Sequence, residues 1–463
     1  MKRFAVLLMT LLTTFTSIAQ DITGKWHGVL KVQGTQLRLV FNVTKTDDGF
    51  STTMDSPDQG AKNIPVTSTV FINPKIKFMV SNLAIVYDGE YKDGEITGVF
   101  VQGGLEFPMN LSREPIEKDI VNRPQEPKKP YPYNSEAVTF KNTKADITLS
   151  GTLTLPKNGT NFPVVILISG SGPQNRDEEL LGHKPFLVIS DYLTKHGIAV
   201  LRYDDRGVGQ SSGDFKTATT ADFATDVESA MAYLKTRQDI NSHKIGLVGH
   251  SEGGLIAPMV ASKSKDVNFM VLLAGPGISG YDIFLLQSEL INKANGLDES
   301  ALQQELAFLK TNLDVVVKGN DLDAIKSVLT DTLHKQLLSQ PELLPKGMEA
   351  KDVDTFADTF TTPWFHYFLK YNPSVSLEQV QCPVLAINGE KDLQVPPKEN
   401  LSAIEQALIR GGNKNISIKE LPNLNHLFQD AITGSPNEYS TIEQTFSPDA
   451  LEEITNWILL QTK

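Results

Sequence analysis

Two rhythms of apolar and polar residues divide this chain. From Ile22 to about Ser112 short runs alternate, as in Leu37-Arg38-Leu39-Val40-Phe41-Asn42-Val43. Turn signals separate them at Asp47-Asp48-Gly49, Lys92-Asp93-Gly94 and Gly103-Gly104. A period of two puts one face of each strand in a core and the other in water. Six or more such strands predict a small all-β domain, an antiparallel barrel or a sandwich, over residues 20–112. Residues 113–134 then carry Pro115, Pro124, Pro127, Pro130 and Pro132 among charged side chains. That density favours extended, semi-rigid chain, so a linker and a domain boundary are expected there.

From residue 135 strands and helices alternate. Val138–Lys141 and Ile147–Leu155 read as a leading hairpin. Continuous apolar runs follow at 163–168, 198–203, 244–248 and 269–273, as strands buried on both faces require. Between them Phe223, Val227, Ala230, Met231 and Leu234 share one helical face, and Thr219 with Asp222 makes a capping-type start. Residues 277–378 interrupt the alternation with helical patterns, including Leu302–Leu309 and Leu322–Leu338. Strands resume at 383–388 and 416–421, and a helix closes the chain at 449–460. The prediction is a doubly wound, mostly parallel α/β sheet with a helical cap inserted between two strands.

The first residues read as a targeting segment. Lys2 and Arg3 precede the apolar run Phe4–Leu12, and Ser17 and Ala19 stand where a signal peptidase reads small residues. A signal peptide over residues 1–19, cleaved before Gln20, makes the expected localisation periplasmic or extracellular. No cysteine follows that site, so a lipid anchor is not expected. No segment has about 20 consecutive apolar residues, so a transmembrane helix is not expected either. Hydrophobic residues at 40% and charged residues at 21% fit a soluble globular protein. A net charge of -12 over 463 residues repels a phosphate backbone and argues against nucleic-acid partners. The single cysteine, Cys382, rules out a disulfide within the chain and enters a buried strand as a small hydrophobe.

One pentapeptide carries chemistry. Gly249-His250-Ser251-Glu252-Gly253 follows the apolar strand 244–248 and opens a helix, the context of a nucleophile elbow. The turn is tight enough to demand glycine at both Gly249 and Gly253, and it lifts the Ser251 hydroxyl above the sheet edge. A serine hydroxyl needs a base. Of eight histidines only His426 leaves the carboxyl end of a strand after the serine. The imidazole needs a carboxylate to set its tautomer, and Asp392 follows the strand ending at Ile387; Glu390, the nearest rival, stands at the start of the turn. Oxyanion donors are expected from the backbone N–H of Glu252 and from that of Ser171, in the loop Ser169-Gly170-Ser171-Gly172-Pro173. That loop lacks the Lys-Ser/Thr ending of a phosphate-binding P-loop. No Cys/His cluster has metal-ligand spacing, so neither metal nor cofactor is expected.

At this point residues 135–463 resemble α/β-hydrolases of the bacterial exported esterase and serine-aminopeptidase-like branch. The elbow is one of the matching pieces. The others are Ser169–Pro173 with Arg176-Asp177, Tyr203-Asp204-Asp205-Arg206-Gly207-Val208-Gly209-Gln210-Ser211, Pro363-Trp364-Phe365, Gly389–Pro396 and Asn425-His426. The resemblance implies metal-free acyl transfer through a serine ester. The preceding β domain departs from that pattern; its Gly24-Lys25-Trp26-His27-Gly28 resembles the opening of lipocalin-like barrels.

Carboxylic ester hydrolysis is the leading expectation, with a small ester or short peptide as substrate. Phe356, Phe360, Trp364, Phe365, Tyr367 and Phe368 in the cap are candidates to line an acyl pocket or to pack the cap against the core. The alternative within enzymes is a serine aminopeptidase-like peptidase, with Glu178 or Glu179 receiving a substrate ammonium. A non-catalytic binding protein on the same scaffold would lack a triad member, and none is missing. The β domain is a candidate for envelope or glycan contact. Coenzyme A thioesters are out of reach of an exported enzyme.

Overall fold

The computed structural model describes residues 21–463, except 33–34, 60, 84, 103–104, 118–121, 340–349 and 351–352. The leader expected over residues 1–19 and the turn at Gly103-Gly104 lie outside the described residues. The chain divides into two compact units, residues 1–119 and 120–463.

The first unit is all-β. Strands β1 (Gly24–Val32), β2 (Thr35–Thr46), β3 (Gly49–Ser56) and β4 (Ala61–Pro65) form one antiparallel sheet. Strands β5 (Ser68–Ile72), β6 (Lys75–Val80), β7 (Ile85–Lys92), β8 (Glu95–Gln102) and β9 (Leu105–Pro108) form a second. Both sheets send alternate residues into one core built on Trp26, Phe41, Phe78, Tyr87 and Phe100. Phe41 of one sheet stacks on Phe78 of the other with ring centroids 4.6 Å apart. Leu111 and Ser112 bridge the two sheets, pairing with Ile96 of β8 and His27 of β1. The polar tips in the core find backbone partners, Trp26 Nε1 donating to Ile22 O at 2.8 Å and Tyr87 Oη to Met109 O at 3.0 Å.

The second unit is an eight-stranded sheet. Its strands are β10 (Asn134–Asn142), β11 (Ile147–Leu155), β12 (Phe162–Ile168), β13 (Ala199–Tyr203), β14 (Ile240–His250), β15 (Phe269–Leu273), β16 (Val384–Gly389) and β17 (Ile416–Leu421). Their spatial order is β10-β11-β13-β12-β14-β15-β16-β17. The leading hairpin is antiparallel and the remaining strands run parallel to one another. Every residue of β13, β15 and β16 is buried, because helices cover both faces.

On one face lie α2 (Thr220–Leu234), α3 (Gly253–Ala261) and α10 (Pro397–Arg410), contributing Val227, Ile256 and Ile404 to the core. On the other lie α1 (Pro185–Lys195) and α11 (Pro448–Gln461), with Phe186, Ile189, Ile454 and Trp457. Full burial of each such side chain stabilises the fold by about 1.5–3 kcal/mol. Thr219 and Asp222 close the capping box that starts α2. This is the doubly wound architecture the resemblance implied.

The insertion between β15 and β16 is the helical cap: α4 (Gly280–Ala294), α5 (Glu299–Lys318), α6 (Leu322–Ser339), α7 (Val353–Phe360), α8 (Pro363–Lys370) and α9 (Ser374–Leu377). It has a core of its own around Phe308, Leu313, Leu329, Phe360 and Phe365.

The boundary between the units falls inside the proline-rich segment, and from residue 122 that segment is tied to the second unit. Arg123 donates to the carbonyls of Leu181, Gly182, Ser440 and Ile442. Gln125 Oε1 accepts from Thr445 N at 2.6 Å and Phe446 N at 3.1 Å. Tyr133 Oη donates to Asp191 Oδ1 at 3.0 Å. Composition reads this half as bare linker, since bonds from side chains to distant carbonyls leave no local trace.

Candidate active site

The carboxyl ends of β12, β14, β16 and β17 point the same way, and the loops that follow them meet at one edge of the sheet. In open α/β sheets this edge is where ligands bind. At the end of β14 the chain reverses into α3 within a few residues. Ser251 sits at the reversal with φ +52°, a left-handed conformation that non-glycine residues seldom adopt. Its N–H still donates to Leu273 O of β15 at 2.9 Å, so the strained residue is anchored to the sheet. A Cβ on Gly249 would overlap the Gly253 carbonyl, and one on Gly253 would overlap that of Ile168. Both elbow glycines are therefore steric requirements of the turn.

Asp392 follows β16 in a tight turn and is 1% exposed. Its Oδ1 accepts from the N–H groups of Gln394 (2.8 Å) and Val395 (2.9 Å), which leaves Oδ2 for His426 Nδ1 at 2.8 Å. That bond puts the ring proton on Nδ1 and leaves Nε2 as the basic nitrogen. His426 is held by the loop after β17. There Asn425 Oδ1 accepts from Leu427 N at 3.0 Å and Gln429 N at 2.9 Å. Phe428, with φ +58°, buries its ring on Phe446. The rival carboxylate Glu390 instead accepts from Asn423 N at 2.9 Å and is exposed.

Ser251 lies next in sequence to His250, whose ring centroid is 4.9 Å from that of His426. Among the described residues no hydrogen bond joins Ser251 Oγ to His426. Catalytic hydrogen bonds in ligand-free enzymes are commonly long and tighten when substrate binds.

The loop after β12 lies over the elbow. A Cβ on Gly170 would stand 3.1 Å from that of Ser251. Asp205 holds the loop through Ser169 Oγ (2.9 Å) and Gln174 N (3.0 Å). Arg176 anchors it to Asp204, with Nη2 2.7 Å from Oδ2. Ser171 is exposed at its tip, and Glu252 is the N-cap of α3, where the helix dipole favours negative charge. Among the described residues the N–H groups of Ser171 and Glu252 donate to no protein acceptor.

Two carboxyls near this point, those of Glu252 and Asp205, are held above their ordinary range by burial. Burial pushes Glu252 above the usual carboxylate range, opposed by hydrogen bonds from Thr220 and Trp364. Desolvation raises Asp205 well above that range, with Glu252 and Glu178 adding to it and Gln174 and Ser169 opposing. Ser169, Gly170, Asp205, Phe223, Glu252 and Ile256 line a small gap of about 10 Å³.

Sequence reasoning missed two features and left a third open between two readings. Glu178, read beside Glu179 as a candidate ammonium receptor, is 4% exposed. It accepts from Gly170 N at 2.6 Å and pairs with His250 Nδ1 at 2.9 Å, whereas Glu179 stays exposed. Trp364 of the cap donates Nε1–H to Glu252 Oε1 at 2.8 Å and so ties the cap to the elbow. Phe360 and Phe365, open between pocket lining and packing, are buried in the cap's own core, while Trp364 and Phe368 stack half-buried with centroids 5.4 Å apart. No local pattern signals the first two, since each joins residues far apart in the chain. Burial pushes the Cys382 thiol up to about 12, which keeps it protonated. Among the described residues no group of three or more His, Cys, Asp or Glu is arranged to hold a metal ion. Among them, too, no helix is long and apolar enough to cross a membrane.

Residues 186–430 match the sequence profile of the family described as serine aminopeptidase, S33. That span contains Ser251, Asp392, His426 and the cap, and begins after the loop of Ser171. Esterase EstD of Thermotoga maritima is 25% identical over 315 residues, which are 67% of this chain and 65% of that protein. The chain thus spans just under two thirds of that relative's length. An uncharacterized 31.7 kDa protein in the traX-finO intergenic region of Escherichia coli is 23% identical over 263 residues, 56% of this chain and 82% of that one. Among solved structures, the Pyrococcus furiosus esterase Pf2001 has 16% identity and a TM-score of 0.41, covering 71% of this chain and 93% of its own. Est1E from Butyrivibrio proteoclasticus with ferulic acid has 19% identity and a TM-score of 0.40, covering 70% and 99%.

Proposed function

Because the chain belongs to the serine aminopeptidase, S33, family of α/β-hydrolases, we propose that it is a secreted serine carboxylesterase working through Ser251, His426 and Asp392. The observation that carries this reading is the 2.8 Å bond from His426 Nδ1 to buried Asp392, beside a serine held at φ +52°. Ser251 Oγ attacks the acyl carbon as His426 Nε2 takes its proton. Asp392 holds the ring in the required tautomer and stabilises the imidazolium. The carbonyl oxygen, now negative, meets the N–H groups of Ser171 and Glu252. Collapse expels the alcohol, which takes its proton from His426. Water, deprotonated by the same nitrogen, then releases the acid from the serine ester.

Two observations favour an ester over a peptide. Glu178, the nearest candidate for a substrate ammonium, is already engaged by His250 and Gly170. The relative from Thermotoga maritima is named an esterase. The family's own description keeps an aminopeptidase as the second reading. Assayed side by side, p-nitrophenyl butyrate is expected to turn over and amino-acid p-nitroanilides to remain intact. Turnover of the anilides alone sinks the esterase reading.

Export rests on the leader pattern over residues 1–19. Amino-terminal sequencing of protein recovered outside the cytoplasm is expected to begin at Gln20. An intact Met1 on the bulk of the protein contradicts it.

A further inference from the structure

The buried pair Glu178–His250 takes no part in the acyl transfer just described, yet it touches three parts of the machinery. Glu178 Oε1 accepts from the N–H of Gly170, at the root of the oxyanion loop, at 2.6 Å. The same oxygen faces His250 Nδ1 at 2.9 Å. His250 immediately precedes Ser251, and its Nε2 lies 3.0 Å from the backbone carbonyl of His426. The partners dictate where the protons are. A carbonyl oxygen only accepts, so Nε2 carries a hydrogen; a carboxylate oxygen already accepting from an amide accepts again, so Nδ1 carries one as well. With Glu178 ionised, His250 is an imidazolium held between a carboxylate and a carbonyl.

The surroundings agree. Burial alone favours the neutral ring, but the charge and hydrogen bond of Glu178, then the His426 carbonyl and Asp392, raise His250 above its ordinary value. The charged or titratable groups facing it are Glu178, the His426 ring and, behind that ring, Asp392. Its remaining walls, Pro185, Phe186, Ile189, Leu273, Leu427 and Phe446, are apolar. Charge-assisted hydrogen bonds gain strength in such a setting.

We propose that Glu178 and His250 are a charged positioning pair that locks the oxyanion loop, the nucleophile elbow and the loop of the catalytic base into one geometry. This rests on the acyl-transfer reading above and deepens it. Neither residue touches the reacting atoms; each acts through Gly170, Ser251 or His426. With glutamine at 178 the ring loses its counter-charge and keeps one proton. Nε2–H still donates to the His426 carbonyl and Nδ1 accepts from the new NH₂, but that NH₂ cannot accept from Gly170 N–H as Glu178 Oε1 does, so the root of the oxyanion loop is released. Misplacement by about 1 Å can cost on the order of 10²-fold in rate.

The test measures kcat and KM on p-nitrophenyl butyrate, with thermal unfolding, for the wild type, Glu178→Gln, His250→Gln and the double variant. Glu178→Gln is expected to lose about 10- to 100-fold in kcat, with KM within about threefold and a melting midpoint close to wild type. The double variant is expected to be no slower than His250→Gln alone, because the pair acts as a unit. His250→Gln leaves a buried carboxylate unpaired and can fail to fold; the double variant removes both charges and keeps the test open. Folded Glu178→Gln and double variants with wild-type kcat overturn the proposal, as does a rise in KM at unchanged kcat. If the wild type cleaves only anilides, the ester reading fails and the same four proteins are measured on the anilide. A wild type that turns over neither substrate and takes no fluorophosphonate overturns the acyl-transfer reading and this proposal with it.

Discussion

Ser251→Ala is expected to lower kcat by about 10⁴- to 10⁶-fold while leaving the fold intact. The hydroxyl is the only atom removed, and its side chain is partly open to solvent rather than packed in a core. The left-handed backbone at Ser251 is anchored through its own N–H to Leu273, which alanine preserves. Residual rate, about 10³-fold over water, comes from the oxyanion donors and substrate binding. Steady-state kinetics on p-nitrophenyl butyrate, with circular dichroism as a folding control, checks both halves. Loss of less than about tenfold shows that another nucleophile acts.

Asp392→Asn is expected to lower kcat by about 10⁴-fold at nearly unchanged KM. The new amide is held in one orientation. Its oxygen keeps the N–H groups of Gln394 and Val395, which Asp392 Oδ1 accepts at 2.8 and 2.9 Å. Its NH₂ then faces His426 Nδ1, which must turn acceptor. The ring proton moves to Nε2, which is then no longer a base. The substitution thus changes a tautomer and little else. Combined with Ser251→Ala it is expected to cost nothing further, since the residues act as a unit. Full additivity in the double variant speaks against a shared proton path.

The elbow was legible in the chain because its constraint acts over five adjacent residues: glycine on either side of a serine, after a buried strand. Asp392 and His426 were legible for a related reason. Both follow apolar strand runs, and parallel strands deliver their carboxyl ends to one edge, where the structure sets the two side chains 2.8 Å apart. The cap was legible as an interruption of the strand rhythm. Glu178 was not, because its meaning comes from a partner 72 residues away. In sequence it is one of two adjacent glutamates; in space one is buried and the other exposed. The docking of Arg123 and Gln125 onto residues more than 300 positions later escaped for the same reason. Phe360 and Phe365 had the composition of a pocket, but the cap needs a core, and burying large apolar groups there fills it.

The central claim is that Ser251 is the nucleophile. The most direct measurement is intact-mass and peptide analysis after reaction with a fluorophosphonate, on the wild type and on Ser251→Ala. The account predicts one adduct per chain, on the peptide containing Gly249-His250-Ser251-Glu252-Gly253, and no adduct on the alanine variant. Equal labelling of both proteins, or an adduct on a different peptide, contradicts it.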